Sequence, residues 1–268
     1  MGLFGKKSKT NKHNYKLGLA LSGGGTRGIA HIGVFKAFEE AGLKFSCVAG
    51  TSAGSILGAM YCKQLSWQEM LSAAKQLTKK DILDKKFVLG SDSQNVANVV
   101  TKILGETTFE QLKIPFAAVA VDISKGEEVV LDSGDVATAV AASSAVPALF
   151  TPVKKDGMVL VDGGLLNNMP ADVCRRMGAD VVVSVDLNHT RGSGTTSSKI
   201  LDILIASWTI TTKSSVYKGE LNSDVIITPE LSAYKNTRLE NIDEMFEEGY
   251  RAAVAKLDVI FDVLKTKF

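Results

Sequence analysis

Two segments near the start of the chain share one order of patterns, in which an apolar run is followed by a glycine turn and then by a helical repeat. Residues 16–22 lead into the glycines of 23–28, and residues 45–49 lead into those of 50–54. A short apolar run that ends in glycines predicts a buried strand, and apolar residues three or four positions apart predict a helix. The first such helix ends at Gly42. The repeated strand, turn and helix predict a βαβ unit with a parallel sheet.

The remaining chain continues this alternation. Further strands are predicted at 114–122, 128–131, 158–161, 181–187 and 225–228, and further helices at 136–144, 171–177, 200–217 and 242–264. Residues 66–104 are helical in pattern and more polar, with a break near 87–91, and predict a helical insertion beside the sheet. Residues 191–198 are rich in Gly, Ser and Thr and predict a surface loop. We therefore expect an α/β fold with three layers, α/β/α, and a mainly parallel central sheet.

Composition narrows the class of protein. A chain of 268 residues, 45% hydrophobic, can bury one sizeable core, so residues 17–268 are predicted to form a single domain. A net charge of +2 gives no basic field that would attract nucleic acid. Three scattered cysteines without metal-ligand spacing favour reduced thiols in the cytoplasm. No apolar run reaches the roughly 18 residues of a membrane span, and the first residues lack the apolar stretch of a secretory signal.

The first 16 residues form a basic segment with five lysines and no acidic residue. Such a segment is predicted to be a solvated, disordered tail. An alternative is weak adsorption to an anionic membrane, because Leu3 and Phe4 precede the lysines. In that case the protein, predicted to be cytoplasmic, would bind peripherally to the inner face of the membrane.

Gly50-Thr51-Ser52-Ala53-Gly54 has the form G-x-S-x-G, between a predicted buried strand and a predicted helix. In this context the serine hydroxyl is raised at the top of the sheet, and Gly50 and Gly54 let the chain pass closely. The helix N-terminus, beginning at Ala53, offers unpaired N–H groups to developing negative charge. Ser52 is therefore a candidate nucleophile, and a purely structural turn is the alternative.

A second glycine motif follows the first strand and comprises Gly23, Gly24, Gly25, Arg27 and Gly28. It satisfies G-x-G-x-x-G, the dinucleotide fingerprint, which also needs an acidic residue about 20 positions further on. Residues 42–49 contain no acidic residue, so the residue that would confirm a nucleotide site is missing. The alternative is an oxyanion hole, because successive glycines let backbone N–H groups converge on one anion. Arg27 either orients this loop, stabilises charge, or is a surface residue at the start of a helix.

Asp162-Gly163-Gly164 follows a buried strand, at the end of the sheet where α/β sites assemble and where Ser52 is also raised. An Asp-Gly pair is common in turns, but a nucleophilic serine needs a base within hydrogen-bond reach and few candidates exist. Asp162 is therefore a candidate general base for Ser52. The order Ser52, Asp162, His189 is also the order of an α/β-hydrolase triad, so a histidine-dependent esterase remains an alternative.

The other two histidines are weaker candidates. His13 lies in the basic tail, and His31 lies in the first helix, where packing or a local hydrogen bond is its expected role. Residue spacing implies no metal site, and no cofactor is expected.

The chain resembles the patatin-like phospholipases, and most closely the short bacterial members. The matching blocks are S-G-G-G-T-R-G at 22–28, G-T-S-A-G at 50–54 and D-G-G at 162–164, supported by segments at 30–40, 143–153 and 165–170. The resemblance covers roughly residues 17–187. The chain departs from the family pattern at two positions. Ala141 occupies a position where the family usually has an arginine, and Phe38 one where it usually has a leucine.

The resemblance implies a Ser–Asp dyad without histidine, with Ser52 as nucleophile and Asp162 as proton acceptor. It also implies that the loop at 23–28 forms the oxyanion hole, and that the substrates are fatty-acyl esters of phospholipids, lysophospholipids or neutral lipids. A lipid-binding or regulatory module with little turnover is the alternative from another class of function.

Overall fold

The computed structural model describes residues 15–77, 90–189, 198–234 and 241–267. Its strands are β1 (Leu17–Leu21), β2 (Cys47–Thr51), β3 (Phe116–Asp122), β4 (Glu127–Leu131), β5 (Val153–Lys155), β6 (Met158–Asp162), β7 (Val181–Val185) and β8 (Val225–Ile227). Its α-helices are α1 (Ile29–Glu40), α2 (Ala53–Cys62), α3 (Trp67–Gln76), α4 (Gln94–Leu104), α5 (Val136–Ser143), α6 (Ala171–Arg176), α7 (Ile200–Ser214), α8 (Tyr217–Asn222), α9 (Ile242–Val254) and α10 (Leu257–Lys267). Short 3-10 helices lie at Gly25–Gly28, Phe109–Gln111 and Gly163–Leu165.

All eight strands belong to one sheet. The strands β3, β2, β1, β7 and β8 are neighbours in that order and run parallel. The other three strands run antiparallel to their neighbours, β4 and β6 beside β3, and β5 beside β6. The predicted α/β fold with a mainly parallel sheet is confirmed.

The sheet is covered by helices on both faces. Leu19 and Val48 belong to a large apolar cluster that includes residues of α1, α2 and α5. Their neighbours Ala20 and Ala49 belong to a second, smaller cluster together with Cys174 of α6. Because successive side chains of a strand point to opposite faces, these two clusters are the two interfaces of an α/β/α sandwich.

One feature of the pairing brings two strand ends together. Ala118 and Val119 of β3 pair with both β2 and β4, and the next three residues of β3 pair with both β4 and β6. Since a strand has two edges, β2 and β6 lie end to end along the same edge of β3. The last β2 pair is Thr51 with Val119, and the adjacent pair on that edge is Asp162 with Ala120. The C-terminal ends of β2 and β6 therefore meet.

Several predicted boundaries differ from those observed. The predicted helix over 200–217 is two helices, because the Ser215 carbonyl accepts a bond from the Asn168 N–H and does not continue the helical ladder. The predicted C-terminal helix is also two helices, since Lys256 N–H bonds to Ala253 O, three residues back. Strand β5 was not predicted. The predicted insertion contains α3 and α4, and its residues 78–89 lie outside the described residues.

Two other predicted segments lie largely outside the described residues. Of the predicted tail 1–16, residues 1–14 are not described, and of the predicted loop 191–198, only residue 198 is described. Both remain predictions. Within the four described ranges, no helix has the length and apolar character needed to cross a membrane.

Candidate active site

Ser52 lies at a sharp turn between β2 and α2, as the strand–turn–helix pattern predicts. Its backbone has φ of 53° and ψ of −124°, which is a conformation that a residue with a side chain rarely adopts. Backbone strain of this kind costs roughly 1–3 kcal/mol and is retained where the surrounding structure enforces it. The turn holds the serine at the C-terminal end of the parallel strands, where α/β sites form.

The two glycines around Ser52 allow this turn to approach its neighbours. A Cβ atom on Gly50 would overlap the carbonyl of Gly54, and a Cβ on Gly54 would overlap the carbonyl of Leu21 at the end of β1. Both overlaps involve backbone, which cannot move aside. The G-x-S-x-G spacing is thus required by close packing of the turn against β1.

Two buried polar groups hold the turn in place. The Ser52 N–H donates to Ser143 Oγ over 3.0 Å, and Ser143 Oγ in turn donates to the Val119 carbonyl over 2.6 Å. The Thr51 hydroxyl donates to the Asn167 carbonyl over 2.8 Å. Sequence reasoning did not identify Ser143 as a site residue, although a serine at the end of a buried small-residue helix was a signal that could have found it.

Asp162 is fully buried at the end of β6. Its Oδ1 accepts a 2.8 Å hydrogen bond from the Gly164 N–H, and its own N–H donates to the Ala145 carbonyl over 3.0 Å. Its Oδ2 is buried and accepts no well-formed hydrogen bond from any described residue. This oxygen is therefore the one open to a proton from a neighbouring group.

Asp162 lies at the end of β2, where Ser52 is also raised, as the sequence predicts. The structure adds that its strand, β6, is antiparallel to β3. Asp162 reaches the end of β2 because β6 approaches from the opposite direction along the same edge of β3. Gly163 fits there only without a side chain, since a Cβ would overlap the Val119 carbonyl.

Burial has a large effect on the carboxyl of Asp162. It raises the pKa of Asp162 to about 7, while the Ser52 hydroxyl and the Gly164 N–H act on this pKa in the opposite direction. The influence of Ser52 places its hydroxyl near the carboxyl, yet no well-formed bond links the two. Hydrogen bonds of this kind are often long in a free enzyme and shorten when a substrate is bound.

The glycine loop at 23–28 lies next to Ser52. A Cβ on Gly23 would come within 3.0 Å of the Ser52 Cβ and 2.6 Å of Asn168 Oδ1. The Gly23 N–H donates to the Asn168 carbonyl over 3.1 Å, and the Gly23 carbonyl accepts from the side-chain amides of Asn168 and Asn188. The Gly23 N–H is thus engaged, which removes Gly23 from the candidate oxyanion donors.

Three other backbone N–H groups, in the glycine loop and in the residue after Ser52, have no acceptor among the described residues: those of Gly24, Gly25 and Ala53. Gly25 has φ of +59°, which favours glycine. A Cβ on Gly28 would lie 2.8 Å from the Ala53 Cβ, so the loop packs directly on the first turn of α2. Gly28 therefore has a packing role, and Gly24, Gly25 and Ala53 are the candidate donors to an anion.

Arg27 connects the glycine loop to a distant segment. Its Nε donates to the Tyr234 carbonyl over 2.8 Å. Burial lowers the pKa of Arg27, and the Glu230 carboxylate acts in the opposite direction. Of the roles that the sequence left open for Arg27, this contact favours orientation of the loop.

The described histidines do not contact Asp162. His31 is buried, and its Nε2 lies 2.9 Å from the Ser22 carbonyl, to which it must donate. Burial lowers the pKa of His31 to about 4, so its ring is neutral near pH 7. His189 is exposed, and its electrostatic interactions are with the carboxyl groups of Asp186 and Glu230. Neither ring is among the groups that influence the pKa of Asp162.

Within the described part of the chain, no group of three or more His, Cys, Asp or Glu side chains could hold a metal ion. The site therefore consists of a serine, a buried carboxylate and backbone amides.

A family model described as patatin-like phospholipase matches residues 19–175. A rat patatin-like phospholipase domain-containing protein 7 is 28% identical over 91% of this chain and 21% of the relative. An uncharacterized NTE family protein of Mycobacterium tuberculosis is 35% identical over 65% of this chain and 49% of the relative. The chain thus spans between about a fifth and a half of the curated relatives it matches.

Two solved structures have a similar fold. VipD from Legionella pneumophila has a TM-score of 0.65 at 17% identity, covering 92% of this chain and 67% of that protein. Human GIVD cytosolic phospholipase A2, in complex with methyl gamma-linolenyl fluorophosphonate, has a TM-score of 0.53 at 10% identity, covering 94% and 58%. At these identities the similarity shows the fold alone.

Proposed function

The chain belongs to the patatin-like phospholipase family, whose members are generally lipid acyl hydrolases, and we propose that it cleaves fatty-acyl esters of lipids with a Ser52–Asp162 dyad. The observation that carries this proposal is the buried Asp162 carboxyl beside the strained Ser52 turn, with one oxygen free of hydrogen bonds. A carboxylate oxygen that accepts no other hydrogen bond, as Asp162 Oδ2 does here, can accept the serine proton directly.

The proposed reaction has two stages. Asp162 Oδ2 accepts the proton of the Ser52 hydroxyl as Ser52 Oγ bonds to the acyl carbonyl carbon, and the carbonyl oxygen becomes an oxyanion. When the ester bond breaks, the departing alkoxide takes the proton from Asp162, which leaves an acyl group on Ser52. Water then gives a proton to Asp162 as its oxygen bonds to the acyl carbon. Ser52 Oγ takes that proton from Asp162 when its own bond to the acyl carbon breaks, which releases the fatty acid and restores both residues.

The N–H groups of Gly24, Gly25 and Ala53 are the proposed donors to the oxyanion. Their support is that they have no acceptor among the described residues and belong either to the turn or to the loop whose ends, Gly23 and Gly28, pack on Ser52 and Ala53. Donors that are already in position when the negative charge develops need no rearrangement, and one such donor contributes roughly 3–4 kcal/mol to transition-state stabilisation. In this proposal Arg27 and Asn168 hold the glycine loop in place and do not touch the substrate.

The pKa of Asp162 leads to a prediction for the pH dependence. The base works only when ionised, and its pKa is raised to about 7. We therefore expect kcat/KM for a short p-nitrophenyl ester to rise about tenfold per pH unit below pH ~7 and then to level off. Circular dichroism at each pH provides the control for unfolding. A profile that stays flat down to about pH 5 would contradict a raised pKa at the catalytic base.

An alkyl fluorophosphonate tests the nucleophile. This reagent is expected to form one covalent adduct, on Ser52, because the carboxyl near it has a raised pKa, whereas the carboxylates that accept from Ser66 and Ser124 have lowered pKa values. Trypsin releases the site as the peptide Phe45–Lys63, whose serines are Ser46, Ser52 and Ser55. Fragmentation by mass spectrometry should assign the added mass to Ser52. The Ser46→Ala protein provides a control and should still be labelled, whereas an adduct on another serine would contradict the assignment.

A further inference from the structure

Residues 163–168 follow the candidate base and contact every other part of the candidate site. The Gly164 N–H donates to the base itself over 2.8 Å. The Asn167 carbonyl accepts a hydrogen bond of 2.8 Å from the hydroxyl of Thr51, the residue before the candidate nucleophile. The next carbonyl along the chain accepts from the Gly23 N–H of the glycine loop over 3.1 Å. The position of this one segment therefore affects the base, the nucleophile turn and the glycine loop together.

Regular secondary structure contributes little to the position of this segment. After the 3-10 helix at Gly163–Leu165, residues 166–170 belong to neither a helix nor a strand. Without a ladder of backbone hydrogen bonds, the segment depends on other contacts to hold it. One is made by Ser215, after α7, whose hydroxyl donates to the Gly164 carbonyl over 2.6 Å. Another is made by the side chain of Asn167.

The side-chain amide of Asn167 is fully buried and bridges two acidic residues. Its Nδ2 donates to Asp172 Oδ1 over 2.8 Å and to Glu128 Oε2 over 3.1 Å, which fixes Asn167 between α6 and β4. Because a carboxylate accepts hydrogen bonds and the amide nitrogen donates two, this orientation of the amide is the one that both partners allow. The Oδ1 atom is buried without a partner among the described residues, which is costly and favours a role beyond packing.

Two cationic side chains hold the carboxylates that Asn167 bridges. Arg176 lies 2.7 Å from Glu128 and 3.1 Å from Asp172, and Lys218 of α8 lies 2.9 Å and 2.8 Å from the same two residues. The Glu128 and Asp172 side chains are only 16% and 11% exposed, so their charges need such partners. Two carboxylates and two cations leave this cluster neutral. Its charges therefore favour an anchor for Asn167 over a site for an ionic ligand.

We propose that Asn167 is a positioning residue for ester hydrolysis. Its amide, held by the two carboxylates, keeps the Asn167 carbonyl where it accepts the bond from Thr51, and this bond holds the turn that carries Ser52. The inference rests on the proposed function. Because the amide bonds to the carboxylate pair and not to the dyad, it acts through the backbone and the Thr51 hydroxyl. The rate of the chemical step should therefore depend on it, and substrate binding should not.

Asn167→Ala tests this role with a p-nitrophenyl ester as substrate. Loss of the amide releases the segment from the carboxylates, and a small displacement of catalytic groups can cost about a hundredfold in rate. We expect kcat to fall roughly 10–100-fold, with KM within about twofold of wild type. The rate of labelling by the alkyl fluorophosphonate should fall by a similar factor, because it uses the same nucleophile and base. Both rates are measured well below the unfolding temperature of the variant.

Thr51→Val tests the same connection from its other side. Valine keeps the branched shape and removes the hydroxyl that bonds to the Asn167 carbonyl, so a similar loss of kcat is expected. Since both substitutions break one connection, the double variant should have a kcat within about twofold of the less active single variant. Two independent effects would multiply instead.

Thr107→Val is the control for a loss of stability alone. The Thr107 hydroxyl is buried and donates to the Leu104 carbonyl over 2.9 Å, away from residues 163–168. This variant should unfold at a lower temperature than wild type and keep kcat within about twofold. An equal loss of kcat in Thr107→Val would assign the effect of Asn167→Ala to stability and overturn the inference.

A wild-type kcat in Asn167→Ala, or losses that multiply in the double variant, would also overturn it. If circular dichroism shows that Asn167→Ala does not fold, Thr51→Val decides alone, and a wild-type kcat in that variant overturns the inference. Wild-type protein with neither turnover nor labelling would instead overturn the proposed function, so the two failures are distinguishable.

Discussion

Substitution of Ser52 by alanine is expected to reduce the turnover of a p-nitrophenyl ester by roughly four to six orders of magnitude. The Oγ atom forms the bond to the acyl carbon in the proposed reaction, and alanine has no atom that can replace it. Backbone amides alone leave only a small residual rate. The measurement is kcat/KM on purified protein at a pH above the pKa of Asp162.

The fold should survive this substitution. Alanine meets the same backbone strain as serine at φ of 53°, and the Ser52 N–H keeps its bond to Ser143. Ser46→Ala, an exposed position on the same peptide, is the matched control and should keep full activity. If Ser52→Ala protein turned over the ester at the wild-type rate, the hydrolase proposal would fail in this form, and a lipid-binding module would be favoured.

The turn at Ser52 could be predicted because its determinants are local. A buried run, two glycines and the start of a helix lie within about a dozen residues, and each has a direct sequence signature. The crowding at Gly50 and Gly54 involves only the turn itself and the end of β1. Strand and helix patterns place both elements without knowledge of distant parts of the chain.

The position of Asp162 at the end of β2 was predicted, but the direction of its strand was not. Asp162 lies near Ser52 because β6 runs antiparallel along the part of the β3 edge that β2 does not pair with. Nothing in residues 158–162 indicates strand direction, because an apolar run has the same pattern in either sense. Only pairing with β3, about 40 positions away in the sequence, decides it.

Interactions between distant residues also explain why the sequence pattern could not show which N–H groups of the glycine loop are free. Gly23 has the same local pattern as Gly24 and Gly25, but its N–H is taken by the Asn168 carbonyl. A contact between distant parts of the chain therefore decides which of these N–H groups is free.

Burial of Asp162 links activity to stability. A carboxyl whose pKa is raised in the folded state favours folding at low pH, and that contribution is lost as the pH rises from its ordinary value through about 7. Keeping this base ionised inside the protein costs on the order of a few kcal/mol at neutral pH and above. In the proposed reaction the same burial gives Asp162 the proton affinity that a base needs.

The substitution Asp162→Asn is expected to reduce turnover about as strongly as Ser52→Ala does, because an amide cannot accept the serine proton. The same variant should be at least as resistant to thermal unfolding as wild type at about pH 8, because asparagine removes the buried charge. Turnover and unfolding temperature are measured on the same preparation. Loss of activity with retained stability would separate a chemical role for Asp162 from a structural one.

The comparison with His189→Ala and His31→Ala then separates a dyad from a triad. If Asp162 is the direct base, His189→Ala should keep turnover within about tenfold, or roughly 1.4 kcal/mol in barrier. His189 is exposed and acts on Asp186 and Glu230, and the influences on Asp162 come from Ser52 and Gly164. His31→Ala removes the bond to the Ser22 carbonyl beside the glycine loop, so its loss should also remain within about tenfold. In a triad the aspartate only orients a histidine, and the histidine substitution costs at least as much as the aspartate one. A folded His189→Ala protein as inactive as Ser52→Ala would therefore assign the base to His189 and remove Asp162 from that role.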